Sequence, residues 1–200
     1  WLMPNWCNNN IEIVGPKAKV DKLIEGAKKG EFINTLYPMP KALEDTQSTS
    51  DEEVMKKQPM IEGFNNWYDW RVANWSTKWD CDIYDGSIQE QEELFGPDDG
   101  DKRVVFGFDT AWAPPIGAYE HYISNNSDMS IRAVYYEPGC DFMGVWEDGD
   151  DRCYQCSEDA PKSDSEFWKS EDGKLIDNYI GCVENLEQWE ADQEEEKANG

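Results

Sequence analysis

A tryptophan-rich stretch and the segments that follow it hold the residues best suited to chemistry. Indole rings recur there beside one lysine and several carboxylates, and such a group can clamp a planar ligand, such as a nucleobase, or a cationic side chain. The same residue types also suit an aromatic core, because a buried indole N–H needs a hydrogen-bond acceptor. Both interpretations fit the sequence. The candidate ligand-binding residues are Trp70, Asn74, Trp75, Lys78, Trp79, Asp80, Asp109, Trp112 and Glu137.

The six cysteines include one closely spaced pair. Cys153 and Cys156 have the spacing of a metal clip or a redox pair. A zinc site needs four ligands, and Cys140 and Cys182 could complete a four-thiolate set, but no second close pair exists. We therefore expect free thiols in a reducing compartment, and no metal or other cofactor.

Catalytic patterns are scarce in this sequence. The single histidine, His121, falls among apolar neighbours in a predicted helix, which is typical of a packed residue rather than a general base. The chain has no nucleophile elbow, no phosphate-binding glycine loop and no His-Glu-x-x-His. The acidic turns at 98–101 and 148–151 lack the spaced ligands of a calcium loop. The sequence therefore favours a protein that binds over one that catalyses.

The charge is strongly negative, with 18 basic against 43 acidic residues and a net of −25. Such a surface repels nucleic acid and anionic membranes and attracts basic protein surfaces. We therefore expect a protein partner with a basic surface, with imitation of DNA as one form of that hypothesis. A solubility or salt adaptation would explain the same charge. The candidate partner-binding residues are Asp98, Asp99, Asp101, Glu147, Asp148, Asp150, Asp151, Glu187 and Glu190.

The composition indicates a folded chain. Two hundred residues suffice for one domain with a tail, and ten Trp, nine Tyr and seven Phe can organise a core with few aliphatic residues. No run approaches the roughly 20 apolar residues of a membrane span, and no signal peptide opens the sequence. We expect a cytoplasmic protein whose natural start is Met3.

Periodicity predicts an α+β fold. Alternating and β-branched residues predict strands at 10–14, 31–37, 80–84, 103–108, 130–136 and 142–146. Helical spacing predicts helices from Pro16 to Gly30, within 64–79, after Pro115 and over 175–189. The segments 41–63 and 85–102 are expected to be loop insertions.

Six strings of the sequence carry a family resemblance. They are Met3-Pro4-Asn5-Trp6-Cys7-Asn8-Asn9 with Gly15, Tyr37-Pro38-Met39-Pro40, Tyr68-Asp69-Trp70-Arg71, Asn74-Trp75-Ser76-Thr77-Lys78-Trp79-Asp80, Phe108-Asp109-Thr110-Ala111-Trp112-Ala113-Pro114-Pro115, and Glu137-Pro138-Gly139 with Phe142 and Gly144. These strings resemble the YubB-type ferredoxin-like family, whose members are found on phages and plasmids, although this chain has Ser76 where the family pattern has glycine. The resemblance covers residues 3–150, and it implies a split βαβ sheet with helices on one face but no activity. Residues 151–200 lie outside the resemblance, and there we expect an acidic extension with a helix at about 175–190.

Together these observations predict an acidic accessory protein of phage type that binds and inhibits a host or defence protein. The alternative is a protein that binds or sequesters nucleotides in the Trp/Lys/Asp cleft. The two hypotheses make different demands on the fold, because one needs exposed carboxylates and the other an open aromatic cleft.

Overall fold

The computed structural model describes residues 5–92 and 100–199, and its centre is a six-stranded antiparallel sheet. The strand order is β2-β3-β1-β4-β5-β6, so the first strand lies inside the sheet. The strands are β1 Trp6–Pro16, β2 Gln89–Glu92, β3 Asp101–Ala111, β4 Ser130–Glu137, β5 Phe142–Glu147 and β6 Asp150–Tyr154.

Eight helices occur in the described residues, together with 3₁₀ turns at Lys41–Leu43 and Glu166–Lys169. No helix within 5–92 or 100–199 is long and apolar enough to cross a membrane. The helices are α1 Lys17–Lys28, α2 Phe32–Leu36, α3 Glu52–Met55, α4 Trp67–Trp75, α5 Ile116–Asn125, α6 Cys156–Asp159, α7 Glu171–Ile180 and α8 Cys182–Asn199.

The first face of the sheet carries the larger core. Side chains of β1 alternate between buried and half-buried, and Ile11 lies opposite Phe106 on one side and Ala133 on the other. Helix α1 covers these residues with Val20 and Leu23, which share one helical face. Helices α2, α4 and α5 complete this layer, so the predicted helices at 16–30, within 64–79 and after 115 are confirmed.

The second face is also covered, by α7 and the 3₁₀ turn before it. Val134 and Val145 point to this side and pack with Trp168 and Ile176 in a separate core cluster. The expectation of helices on one face was therefore wrong. The cause lies in β4 and β5, which carry apolar residues at both odd and even positions and so require a cover on each side.

The predicted strand at 31–37 was also wrong, because this segment forms α2. Phe32, Ile33 and Leu36 lie at helical spacing and are all buried. The outer strand is instead β2, from the segment expected to be a loop, and it pairs with β3. Lys102 is 3% exposed and contacts Glu90 at 2.5 Å, which ties this short polar strand to its neighbour.

The last fifty residues extend the sheet before they turn into helices. Strand β6 pairs with β5, so the expected boundary between 150 and 151 falls inside a strand. The single helix expected over 175–189 was wrong. Gly181 adopts φ 74°, a left-handed conformation that ends α7, and α8 begins at the next residue.

Candidate binding surface

The predicted aromatic cleft divides into a buried part and an exposed part. Trp70 and Trp75 are 1% and 0% exposed, so neither ring is open to a ligand. The indole of Trp75 donates to the carbonyl of Tyr37 at 2.8 Å, and that of Trp70 donates to Glu62 at 3.2 Å. Asn74 accepts from the hydroxyl of Tyr37 at 3.1 Å. These residues join α4 to the end of α2.

Two predicted carboxylates hold the backbone in place. Asp80 accepts from the backbone N–H groups of Ile33, Asn34 and Cys81 at 2.8 to 2.9 Å, which fixes the start of α2. Burial raises the pKa of Asp80, and those three donors act in the opposite direction. Glu137 is 3% exposed and accepts from the N–H of Gly139 at 3.0 Å, so it closes the β4–β5 turn.

The exposed part is a clamp made of Lys78, Trp79 and Trp112. The Lys78 ammonium lies 3.8 Å from the ring centre of Trp79 and 4.1 Å from that of Trp112. Trp112 has φ 69° and is 38% exposed. Cation–π attraction draws the ammonium to both rings and so links Trp79 to Trp112. The clamp thus keeps two indoles at the surface in a fixed arrangement.

Beside the clamp is a cavity of about 340 Å³ between β1, β3 and the segment 80–84. Trp6 forms one wall of this cavity, and its ring centre lies 6.1 Å from that of Trp79. Tyr84 and Asp109 also line the cavity, and the carboxylate of Asp109 accepts a hydrogen bond from the hydroxyl of Tyr84 at 2.5 Å. Sequence reasoning missed Trp6 and Tyr84. The alternation of β1, which puts Trp6 and Asn8 on the same face, was the available signal for Trp6.

Most of the predicted partner-binding carboxylates in the sheet form ion pairs or hydrogen bonds with other residues of the chain. Glu147 contacts Arg152 at 3.6 Å, and Asp150 contacts the same guanidinium at 2.6 Å. Asp148 accepts from Ser130 and from the N–H of Ile131, and Asp151 accepts from Tyr135. Asp101 begins β3 and is half-buried, and Asp98 and Asp99 lie outside the described residues.

An ion-pair ladder continues across the second face of the sheet. Arg103 Nε donates to Glu12 at 2.7 Å, and Arg132 Nη2 donates to the other oxygen of the same carboxylate at 2.8 Å. Arg152 then donates to both oxygens of Asp172 on α7, at 2.8 and 3.1 Å. Opposite charges on neighbouring strands are therefore paired with one another on this face.

Helix α8 differs from the sheet in that its charge is unbalanced. It carries seven carboxylates and one lysine, and within the described part of the chain none of these seven forms an ion pair. Glu187 is exposed, and Glu190 accepts from the N–H and hydroxyl of Ser163 at 3.1 and 2.7 Å. Trp189 stands between them and is 57% exposed.

The two predicted acidic regions are separate. Glu147 ends β5, whereas Met143, near the start of that strand, lines a cavity with Leu186 and Trp189 of α8. At about 3.3 Å per residue, Met143 and Glu147 are roughly 13 Å apart along the strand. The turn at 147–151 and helix α8 therefore lie towards opposite ends of β5.

The thiols and the histidine show no catalytic grouping. All six cysteines are free, and burial raises the pKa of Cys156 to about 11. Among residues 5–92 and 100–199, no three His, Cys, Asp or Glu side chains are grouped to hold a metal ion. His121 stacks on Tyr37 with ring centres 3.5 Å apart, and burial lowers the pKa of its imidazole.

Comparison with known proteins gives little further information. No family model and no curated protein matches the chain. One similar solved structure is the protein api92 from Yersinia pseudotuberculosis, described with the family model DUF1281, at 12% identity and a TM-score of 0.38. The match covers 76% of this chain and 98% of that one. A likeness of this size supports no conclusion about fold or activity.

Proposed function

We propose that the protein is a non-enzymatic accessory protein that binds a basic surface of a host or defence protein and blocks it, with α8 as the main contact. The observation that carries the proposal is the absence of ion pairs for the seven α8 carboxylates among the described residues. Carboxylates that form no ion pair within the described residues are available to a cationic partner and raise the rate of encounter.

The density of charge along α8 supports this reading. From Glu184 to Glu196 the helix extends about 18 Å and carries a carboxylate about every 3 Å. Duplex DNA carries one phosphate charge per about 1.7 Å of axis. The helix thus has about half the linear charge density of DNA, which suits a cleft that also accepts nucleic acid. DNA imitation is the narrower form of the proposal.

The fold supports the mobile-element part of the proposal. In the order β2-β3-β1-β4 every neighbouring pair is antiparallel, and α5 connects β3 to β4 with β1 between them. This is the arrangement of a split βαβ sheet, and we propose that these four strands form a ferredoxin-like core to which β5, β6 and α7 are added. The YubB-type resemblance of the sequence supports the proposal that the protein is encoded on a phage or plasmid.

Affinity purification with a matched bait tests the function. One bait is the protein itself, and the other carries Glu187→Gln, Glu194→Gln and Glu195→Gln, three exposed positions on α8. Both are incubated with bacterial lysate at low and at physiological salt, and retained proteins are identified by mass spectrometry. We expect one dominant basic protein on the first bait at low salt, reduced by the glutamine variant and by salt.

A dominant partner that both baits retain equally, independent of salt, would contradict the proposal. Where the retained protein binds DNA, competition with duplex DNA separates the two forms of the hypothesis. Displacement by DNA supports imitation, and simultaneous binding restricts the proposal to a different basic surface.

The clamp favours a second candidate function, the binding of a planar ligand such as a nucleotide. Trp112 is 38% exposed beside the Lys78 ammonium, and a base can stack on the indole face that Lys78 leaves open. A thermal-shift screen against nucleotides tests it, because a ligand that binds the folded state raises the melting temperature. The shift should disappear in Trp112→Ala and persist in Trp189→Ala.

A further inference from the structure

A mainly apolar cavity of about 540 Å³ opens between the second face of the sheet and α8. Tyr136 and Met143 of β4 and β5 form its floor, and Trp168, Leu186 and Trp189 form its walls. Its volume falls within the range of about 300 to 1,000 Å³ that holds small ligands and inserted side chains. The segment between β6 and α8 thus leaves a recess beside the second core cluster.

A second cavity of about 520 Å³ lies on the other side of Trp189. It shares Pro161 and Trp189 with the first, and its remaining walls are polar. The carboxylates there are Asp164, Glu190 and Glu194, and the cations are Lys162 and Lys197. The two cavities form one groove along α8, apolar at one end and acidic at the other, with a half-exposed indole between them.

The apolar end holds one polar group without a partner. The hydroxyl of Tyr136 makes no hydrogen bond with any residue in the described ranges, whereas Tyr135, its neighbour in β4, donates to Asp151 at 2.7 Å. Burial raises the pKa of Tyr136 to about 12, and the nearby Cys182 and Cys156 act in the same direction. The hydroxyl therefore stays protonated and can donate to an acceptor that enters the cavity.

We propose that this groove binds a lysine- or arginine-rich segment of the partner protein, with one large apolar side chain inserted between Trp168 and Trp189. The proposal rests on the function proposed above and names the chemistry of the partner. The apolar anchor fills the first cavity, and the cations that follow it meet the carboxylates of the second cavity and of α8. A guanidinium or ammonium can also lie on the exposed face of Trp189.

Fluorescence anisotropy with dye-labelled peptides tests the groove. One peptide is rich in lysine with a single central tryptophan, the second has alanine in place of that tryptophan, and the third has glutamate in place of the lysines. The protein variants are Trp189→Ala, the Glu187→Gln/Glu194→Gln/Glu195→Gln triple variant, and Met60→Ala as a control. Met60 is a large apolar residue that is 67% exposed and lines neither the groove nor the cavity beside the clamp.

We expect the first peptide to bind the protein about tenfold more tightly than either of the others, since inserted aromatic side chains dominate such interfaces. Trp189→Ala should remove the preference for tryptophan, the triple variant should weaken the binding of both lysine-rich peptides, and Met60→Ala should leave all affinities unchanged. Circular dichroism verifies that each variant is folded.

Equal binding of the first and second peptides, or equal effects of Trp189→Ala and Met60→Ala, would overturn the groove proposal. The proposal of a basic partner would still stand if the triple variant bound the lysine-rich peptides more weakly than the unchanged protein. Conversely, an unchanged affinity in the triple variant, or tight binding of the glutamate peptide, would contradict the proposal of a basic partner. The proposal that an apolar side chain enters the first cavity would survive that result. If no peptide binds, the groove proposal fails.

Discussion

At the residue scale, burial decides what each tryptophan does. Trp75 is fully buried and its indole donates to a backbone carbonyl, whereas Trp112 and Trp189 are 38% and 57% exposed. The sequence neighbours of the three rings do not predict this order, because the buried Trp75 lies between Asn74 and Ser76 and the exposed Trp112 lies between two alanines. The difference arises from tertiary contacts: the rings of α4 face α2, and Trp189 lies on a helix that the sheet only partly covers.

Asp80 provides the first test at this scale. Replacing it with alanine removes the acceptor of three backbone N–H groups at the start of α2. Buried donors without partners are costly, so Asp80→Ala should lower the free energy of unfolding by about 2 to 4 kcal/mol, measured by urea denaturation. Asp82→Ala, an exposed change two residues later, should have almost no effect. Equal losses in the two variants would assign Asp80 no structural role.

At the element scale, the central strands were predictable and the edges were not. The strands at 103–108, 130–136 and 142–146 are confirmed, because their alternating and β-branched residues have one stable arrangement in a sheet. Strand β2, Gln-Glu-Gln-Glu, contains no apolar residue. Its pairing with β3 and the contacts of Glu90 with Lys102 and Lys28 define it, and none of these is visible in the four residues of the strand itself.

The residues of the candidate site were likewise predicted only in part. Sequence reasoning found Lys78, Trp79 and Trp112, because polar and aromatic residues cluster in their segments. It included Glu187 and Glu190 of α8 but missed Trp189 as a surface residue. The single helix predicted over 175–189 made Trp189 a core position. The left-handed Gly181 redirects the chain, so Trp189 stands at the groove instead.

The close approach of α7 to the preceding 3₁₀ turn gives a prediction. A Cβ at Gly173 would lie 2.0 Å from the carbonyl oxygen of Phe167, a backbone atom that cannot move aside. Gly173→Ala should therefore destabilise the protein by about 1 to 3 kcal/mol, although alanine is the better helix former. Lys174→Ala, at the next and exposed position, should be neutral. Urea denaturation measures the free energy of unfolding of both variants. An increase for Gly173→Ala would show that the contact between α7 and the 3₁₀ turn is not tight.

The docking of α7 on β6 should depend on pH. The Arg152 guanidinium lowers the pKa of Asp172, and the hydroxyl of Tyr154 acts in the same direction. A lowered carboxyl pKa contributes stability above the ordinary value of about 4 and loses it as pH falls through the folded value. Asp172→Asn should therefore be about 1 to 3 kcal/mol less stable than the parent protein at pH 7, and the difference should vanish near pH 2.

Urea unfolding at both pH values measures this difference, with Glu171→Gln as the control. Glu171 precedes Asp172 in the helix and is exposed, so its replacement should leave the free energy of unfolding almost unchanged at either pH. A gap between Asp172→Asn and the parent that is the same size at both pH values would mean that the ion pair does not hold α7.

At the scale of the whole molecule, the negative charge is unevenly compensated. Across the sheet, arginines on alternate strands neutralise the carboxylates beside them, and the buried Lys102 contacts both Asp21 and Glu90. The seven carboxylates of α8 form no such ion pairs among the described residues, although Lys162 and Lys197 line the same cavity as Glu190 and Glu194. With seven carboxylates against one lysine, α8 carries part of the net charge of −25, and the self-repulsion of that charge acts on the fold when the proposed partner is absent.

This imbalance predicts that added salt stabilises the free protein. Raising sodium chloride from about 0.01 M to about 1 M shortens the Debye length from about 30 Å to about 3 Å, which screens long-range repulsion more than short ion pairs that are partly buried. With a net charge of −25, repulsion should outweigh the weakened pairs, so the melting temperature should rise with salt. The Glu187→Gln/Glu194→Gln/Glu195→Gln variant has less repulsion to screen, so its rise should be smaller. A melting temperature that falls with salt in both proteins would show that the ion-pair ladder, rather than the acidic helix, dominates the electrostatics of this fold.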